Sequence, residues 1–210
     1  MNKPALLAAL LGTAFLATAA QAQTQSPAPA AVRTEGGYFG VGVMSVTSEA
    51  AKTIAAAFAG AFAESNTTGY KLYGGYMWGN WGVELGYYDM GEAEVKIAGA
   101  TSDTLESKAA TLAAVYSAPF AGKGMVHLKA GAAHVSSEYN CVSLCGGNLV
   151  NSEKTSTPLF VGIGLGWRLS QNIQLRLDFE RMSDVVYVVG TAGEFEGPIE
   201  IMSLSAQFSF

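Results

Sequence analysis

At the C-terminal end of the chain Met202, Leu204, Ala206, Phe208 and Phe210 alternate with Ser203, Ser205, Gln207 and Ser209. Strict period-2 alternation places all the apolar groups on one face of a β-strand and the polar groups on the other. The same pattern recurs upstream. Ile173, Leu175, Leu177 and Phe179 alternate with Gln174, Arg176, Asp178 and Glu180. In 159–169, Leu159, Val161, Ile163, Leu165, Trp167 and Leu169 share a face opposite Phe160, Gly162, Gly164, Gly166 and Arg168. The G-x-G-x-G run lacks the spacing of a phosphate loop. Its three glycines lie on one strand face, where they leave room for long side chains from neighbouring strands.

This reading predicts strands over 37–48, 68–78, 81–90, 108–118, 125–137, 153–169, 173–184 and 198–210. The connections alternate in length. Those at 79–80, 120–124 and 170–172 are tight turns; those at 49–67, 91–107, 138–152 and 185–197 are long. An even number of strands with short turns at one end and long loops at the other is the plan of a membrane barrel. Trp78, Trp81 and Trp167 fall beside short turns, level with Phe120, Phe208 and Phe210. Tyr87, Tyr88, Tyr139 and Phe179 fall toward the long loops, giving two expected interfacial girdles. A soluble lipocalin-like barrel is the competing architecture, and it would reverse the faces, apolar inside.

Composition sharpens the choice. Of 210 residues, 50% are hydrophobic and only 14% charged, against about 25% charged in an ordinary soluble domain. Yet beyond the first 22 residues no uncharged run exceeds 14, whereas a spanning helix needs about 20. The apolar content is present but distributed over every second position. A net charge of −5 without a basic stripe argues against nucleic acid as a partner. The N-terminus reads as an exported leader. Lys3 precedes an Ala/Leu stretch that closes on Ala20-Gln21-Ala22, predicting a signal peptide at 1–22. Residues 23–36 are expected to be a flexible periplasmic lead-in and 37–210 the barrel.

With the apolar faces outward, strand parity sends Lys71, Glu84, Lys129, Arg168, Arg176, Asp178 and Glu180 inward. A Lys or Arg turned to mid-bilayer lipid costs about 2–4 kcal/mol, and unpaired buried charge is strongly unfavourable. Near-balanced charges in a narrow lumen are therefore expected to pair into a plug; a polar path for ions or small solutes is the other reading.

Residues 69–76 (GYKLYGGY) and 81–91 (WGVELGYYDMG) resemble the second and third strands of OmpA-like barrels. Residues 157–167 (TPLFVGIGLGW) and 173–181 (IQLRLDFER) resemble the sixth and seventh. The resemblance covers 37–210 and implies an all-β fold: an eight-stranded antiparallel transmembrane up-and-down barrel of the Gram-negative outer membrane. It also implies Phe208 and terminal Phe210 as the signal read by the outer-membrane assembly machinery. Many relatives continue into a peptidoglycan-binding domain. This chain stops at the eighth strand, so that tethering role is not expected.

Other candidate chemistry is sparse. Cys141 and Cys145 lie in a long loop of an exported chain and are expected to form a disulfide that shapes the loop; a metal site would need more ligands. His134, Ser136 and Glu138 share a strand face in a His-x-Ser arrangement that resembles the lipid A deacylases, where His activates Ser. A polar strand end is the preferred account of them, since no separate carboxylate motif follows to orient the His. His127 faces inward. Residues 49–65 carry Ile54, Phe58 and Phe62 at near-helical spacing, predicting a short rim helix or a surface adhesion patch. The expected function is a non-enzymatic, cofactor-free structural barrel that supports the envelope. Its expected partners are outer-membrane lipid and lipopolysaccharide, with an extracellular partner reached through 49–67 and 138–152. A narrow porin-like channel, a surface adhesin and a lipid A hydrolase are the competing functions.

Overall fold

The computed structural model describes residues 35–48, 61–63, 66–97, 100–120, 122–141, 150–189 and 193–210. Ten strands follow in order: β1 (Glu35–Ser48), β2 (Ala61–Ala63), β3 (Asn66–Trp78), β4 (Trp81–Ile97), β5 (Ala100–Phe120), β6 (Gly124–Cys141), β7 (Val150–Ser156), β8 (Leu159–Arg168), β9 (Ile173–Val189) and β10 (Gly193–Ser209). All pairings are antiparallel. The ladder runs β4-β3-β1-β10-β9-β8-β6-β5 and closes through β5 onto β4. β7 continues the β8 wall in unbroken register along β6, Ser156 facing Val135 and Leu159 facing Ala132. The wall is therefore an eight-stranded closed barrel with β2 as a short addition to β4. Closure removes the exposed edges that an open sheet would present.

Strand length differs from expectation. β4 runs to Ile97 and β5 starts at Ala100, so most of 91–107 is paired ladder rather than loop. The same holds for much of 138–152 and 185–197, where β6 pairs β7 and β9 pairs β10. The polar composition of these segments suggested loops because their alternation no longer has lipid on one side. The expected strand 153–169 is divided at Thr157-Pro158, where proline removes a ladder donor. Ala61–Ala63 pairs with β4 and is not part of a helix. The signal peptide, the lead-in before Glu35 and the rest of 49–65 lie outside the described residues.

The outer wall carries an apolar band. On β4 it is Trp81, Val83, Leu85 and Tyr87; on β10 it is Phe208, Ala206, Leu204 and Met202. Eight residue steps from Trp81 to Asp89, at ~3.3 Å each and a tilt of ~40°, span about 20 Å of height. Trp78, Trp81, Trp167 and Phe120 are exposed at the short-turn end; Tyr70, Tyr87 and Phe179 are exposed at the other margin. Tyr88 and Tyr139, expected in that second girdle, instead point inward and are buried. Tyr88 lies four residues from Glu84 and so shares its inward face.

Above the band a polar collar interrupts every wall strand on its outward side. It comprises Ser45, Thr68, Asp89, Lys108, His134, Thr157, Arg181 and Glu200. Lys108 pairs with Glu106 at 2.6 Å and Arg181 with Glu200 at 3.4 Å. From that level upward the faces invert. Outward positions become polar, while Met44, Val46, Met90, Leu105, Val135, Met182, Val185, Ile199 and Ile201 form one buried apolar cluster inside. The two architectures weighed from the sequence thus coexist along one axis: a membrane-type lower storey and a soluble-type upper storey. A β-bulge between Asp89 and Glu92 sits at the collar on β4, with Gly91 at φ 74° supplying the left-handed residue it needs.

Candidate functional site: the charged lumen

Period 2 along β9 sends Arg176, Asp178 and Glu180 into the lumen at successive levels. Lys71 arrives from β3, Glu84 from β4 and Lys129 from β6. These three cations and three anions form one connected cluster. Lys71 Nζ donates to Asp178 Oδ2 at 2.8 Å and Glu180 Oε2 at 3.1 Å. Lys129 Nζ reaches Glu84 Oε1 and Glu180 Oε1, both at 2.7 Å. Arg176 bridges Glu84 Oε2 at 3.1 Å and Asp178 Oδ1 at 3.2 Å. Its Nη1 also donates to Gln207 Oε1 at 2.9 Å. Lys71 and Asp178 are fully buried.

Tyrosines complete the shell. Tyr38 donates to Glu84 at 2.9 Å and Tyr88 to Glu180 at 3.1 Å. The Tyr73 ring is surrounded by all three cations: Lys71 and Lys129 nitrogens at 5.4 and 5.5 Å from its centroid and the Arg176 guanidinium at 4.9 Å. A ring face attracts each cation through its quadrupole, so Tyr73 keeps like charges apart without adding a fourth anion. Sequence reasoning passed over Tyr38 and Tyr73 and placed Tyr88 in the outer girdle. The signal was available: Tyr73 shares the parity of Lys71, and Tyr88 that of Glu84.

Glycines make the space. A Cβ at Gly164 would overlap the Asp178 carboxylate, and one at Gly166 would overlap the Gln174 amide. On the opposite wall a Cβ at Gly40 would strike the Tyr73 ring and one at Gly75 the Tyr38 ring. The G-x-G-x-G face is a recess for the long side chains of β9.

Arg168 was expected in this cluster and is not part of it. It lies at the short-turn end, where its Nη2 meets Met125 Sδ at 3.7 Å. Parity gave its face correctly, but period 2 carries no information about height in the barrel. Between it and the cluster sits a neutral polar layer: His127 Nδ1 bonds Ser117 Oγ and His127 Nε2 bonds Gln174 Nε2, both at 2.7 Å.

The remaining candidates are dispersed. His134, Ser136 and Glu138 line up on the outward face of β6, opposite Ala110, Lys108 and Glu106. Among the described residues no hydrogen bond joins them. Cys141 ends β6, whereas Cys145, and with it the expected disulfide, lies outside the described residues. The Phe208 ring packs against Phe39 at 5.6 Å, and the Phe210 N–H donates to the Gly37 carbonyl at 3.0 Å, fixing both at the short-turn end.

Comparison with known proteins agrees with this architecture. Neisserial surface protein A superposes with a TM-score of 0.56 at 15% identity, covering 83% of this chain and 97% of its own. OprG from Pseudomonas aeruginosa gives 0.53 at 15% identity, covering 84% and 97%. Ail, the attachment invasion locus protein of Yersinia pestis, gives 0.52 at 15% identity, covering 84% and 99%. At that identity the likeness concerns the fold, an outer-membrane β-barrel. No curated protein sequence matches the chain. The family model of the OmpA-like transmembrane domain, however, matches residues 33–210, so the chain belongs to the OmpA-like transmembrane domain family.

Proposed function

We propose that the protein is a non-conducting structural barrel of the Gram-negative outer membrane, with its short turns in the periplasm and its long hairpins outside. The observation that carries this reading is the lumen, filled twice over. Within the membrane level six charges are matched three to three and bonded to one another. Above them the described interior is dominated by the apolar cluster from Met44 to Ile201, and its buried Ser107 and Ser137 are bonded to each other. An ion crossing this column would have to break a buried network and then lose its own water, both costly steps.

In this reading the apolar band contacts lipid, the collar meets lipopolysaccharide headgroups, and Phe208 with Phe210 serves recognition by the assembly machinery. No catalytic step is assigned to the outward His134 and Ser136. The experiment is cellular. Outer-membrane fractionation with heat-modifiable migration on gels tests the location, and a deletion strain tests the role. The reading expects detergent sensitivity that wild-type protein restores. A soluble fraction, or an intact envelope without the protein, contradicts it.

A further inference from the structure

The upper storey is not accounted for by a structural role alone. Its interior is built unevenly. Ala93, Ala109 and Ala133 line one side, from β4, β5 and β6. Methionines fill the space these alanines leave, Met44 and Met182 from the other side and Met90 from β4 itself. Methionine has three rotatable bonds and a polarizable sulfur, so it repacks around a guest at little cost, unlike a branched side chain. A small cavity of about 20 Å³ is already present, bordered by Val46, Met90, Leu105 and Ile199. Three hydroxyl side chains border it, Ser48, Thr67 and Ser107; Thr67 donates to the Met90 carbonyl at 2.7 Å and Ser107 bonds Ser137 at 3.0 Å. The rest of the lining, Val46, Met90, Ala93, Leu105 and Ile199 with Gly91, is apolar. Below, the buried ion cluster forms a floor that an apolar molecule cannot pass. At the side, the ladder between β8 and β9 ends at Phe160–Met182, and among the described residues no ladder joins β7 to β9 above it.

We infer that the upper storey is a binding site for a small uncharged hydrophobic molecule, seated among Met44, Met90, Met182, Leu105 and Ile199 and admitted by repacking of the methionines. This goes beyond the structural role and does not depend on it, since a guest held above the floor does not open the lumen.

The methionines supply their own test. The protein is labelled at the methionine methyl groups, placed in lipid nanodiscs and titrated with toluene. Met44, Met90 and Met182 report the storey, whereas Met202 is exposed on the lipid-facing wall and reports partitioning into the bilayer. The inference expects saturable shifts at the three interior methyls and only a linear drift at Met202. Leu105→Ala, which enlarges the cavity, should tighten binding several-fold, and Ala109→Phe, which fills the storey, should abolish the saturable shifts. Ladder integrity in each variant is read from heat-modifiable migration. Linear drift at all four methyls of the wild type overturns the inference whether or not the variants fold.

Discussion

The Lys71 ammonium meets the Asp178 carboxylate at 2.8 Å across the lumen, joining β3 and β9, two strands that share no ladder. The contact spans 107 positions of sequence, and the remaining charges of the cluster connect to it. The cross-section of the barrel is thus tied by side chains as well as by its wall.

Breaking that tie on one side leaves a buried charge unmatched. Arg176→Met removes one of the cations that hold Glu84 and Asp178, leaving three carboxylates to two lysines, and loss of one member of a buried ionic set costs about 3–5 kcal/mol. Urea unfolding in lipid vesicles should show a drop of that size. The double variant Arg176→Met with Glu84→Gln, which restores charge balance, should recover part of it. Equal stability of wild type and Arg176→Met would mean that the cluster is not a connected network.

Glycine substitutions separate the inner face from the outer. A Cβ at Gly164 competes with the Asp178 oxygen that Arg176 holds, whereas one at Gly74 makes only ordinary contacts, the nearest at 3.4 Å. Gly164→Ala should lose about 1–3 kcal/mol, as overpacking commonly does, while Gly74→Ala should stay within about 0.5 kcal/mol in the same assay.

The inversion of faces at the collar predicts that the cost of an outward charge falls away above it. Leu204→Arg, in the middle of the apolar band, should cost about 2–4 kcal/mol in a bilayer. Glu138→Arg, outward but above the collar, should be near neutral, because water rather than lipid surrounds it. If both cost the same, the membrane boundary does not lie at Asp89, Lys108, Arg181 and Glu200.

Much of this was legible in the sequence, for a physical reason. Alternation fixes which face a residue occupies, so the inward sets on β9 and β10 follow from period 2 alone. What alternation lacks is depth and surroundings. Arg168 has the right face and the wrong height. Tyr139 was assigned by its height near the long loops, although it shares the parity of Lys129. Beyond Asp89 the pattern continues with its faces exchanged, and residues 91–107 read as loop because a polar outward face was equated with the end of the strand. The apolar cluster around Met90 and Ile199 was missed for the same reason: an interior was assumed to be polar at every level because it is polar within the membrane.

The central claim is that the lumen is closed, and single-channel recording in planar bilayers tests it most directly. The purified wild-type barrel, shown to be folded by its heat-modifiable migration, should give no discrete conductance steps over a range of voltages. Regular, reproducible steps from that same folded protein would contradict the account.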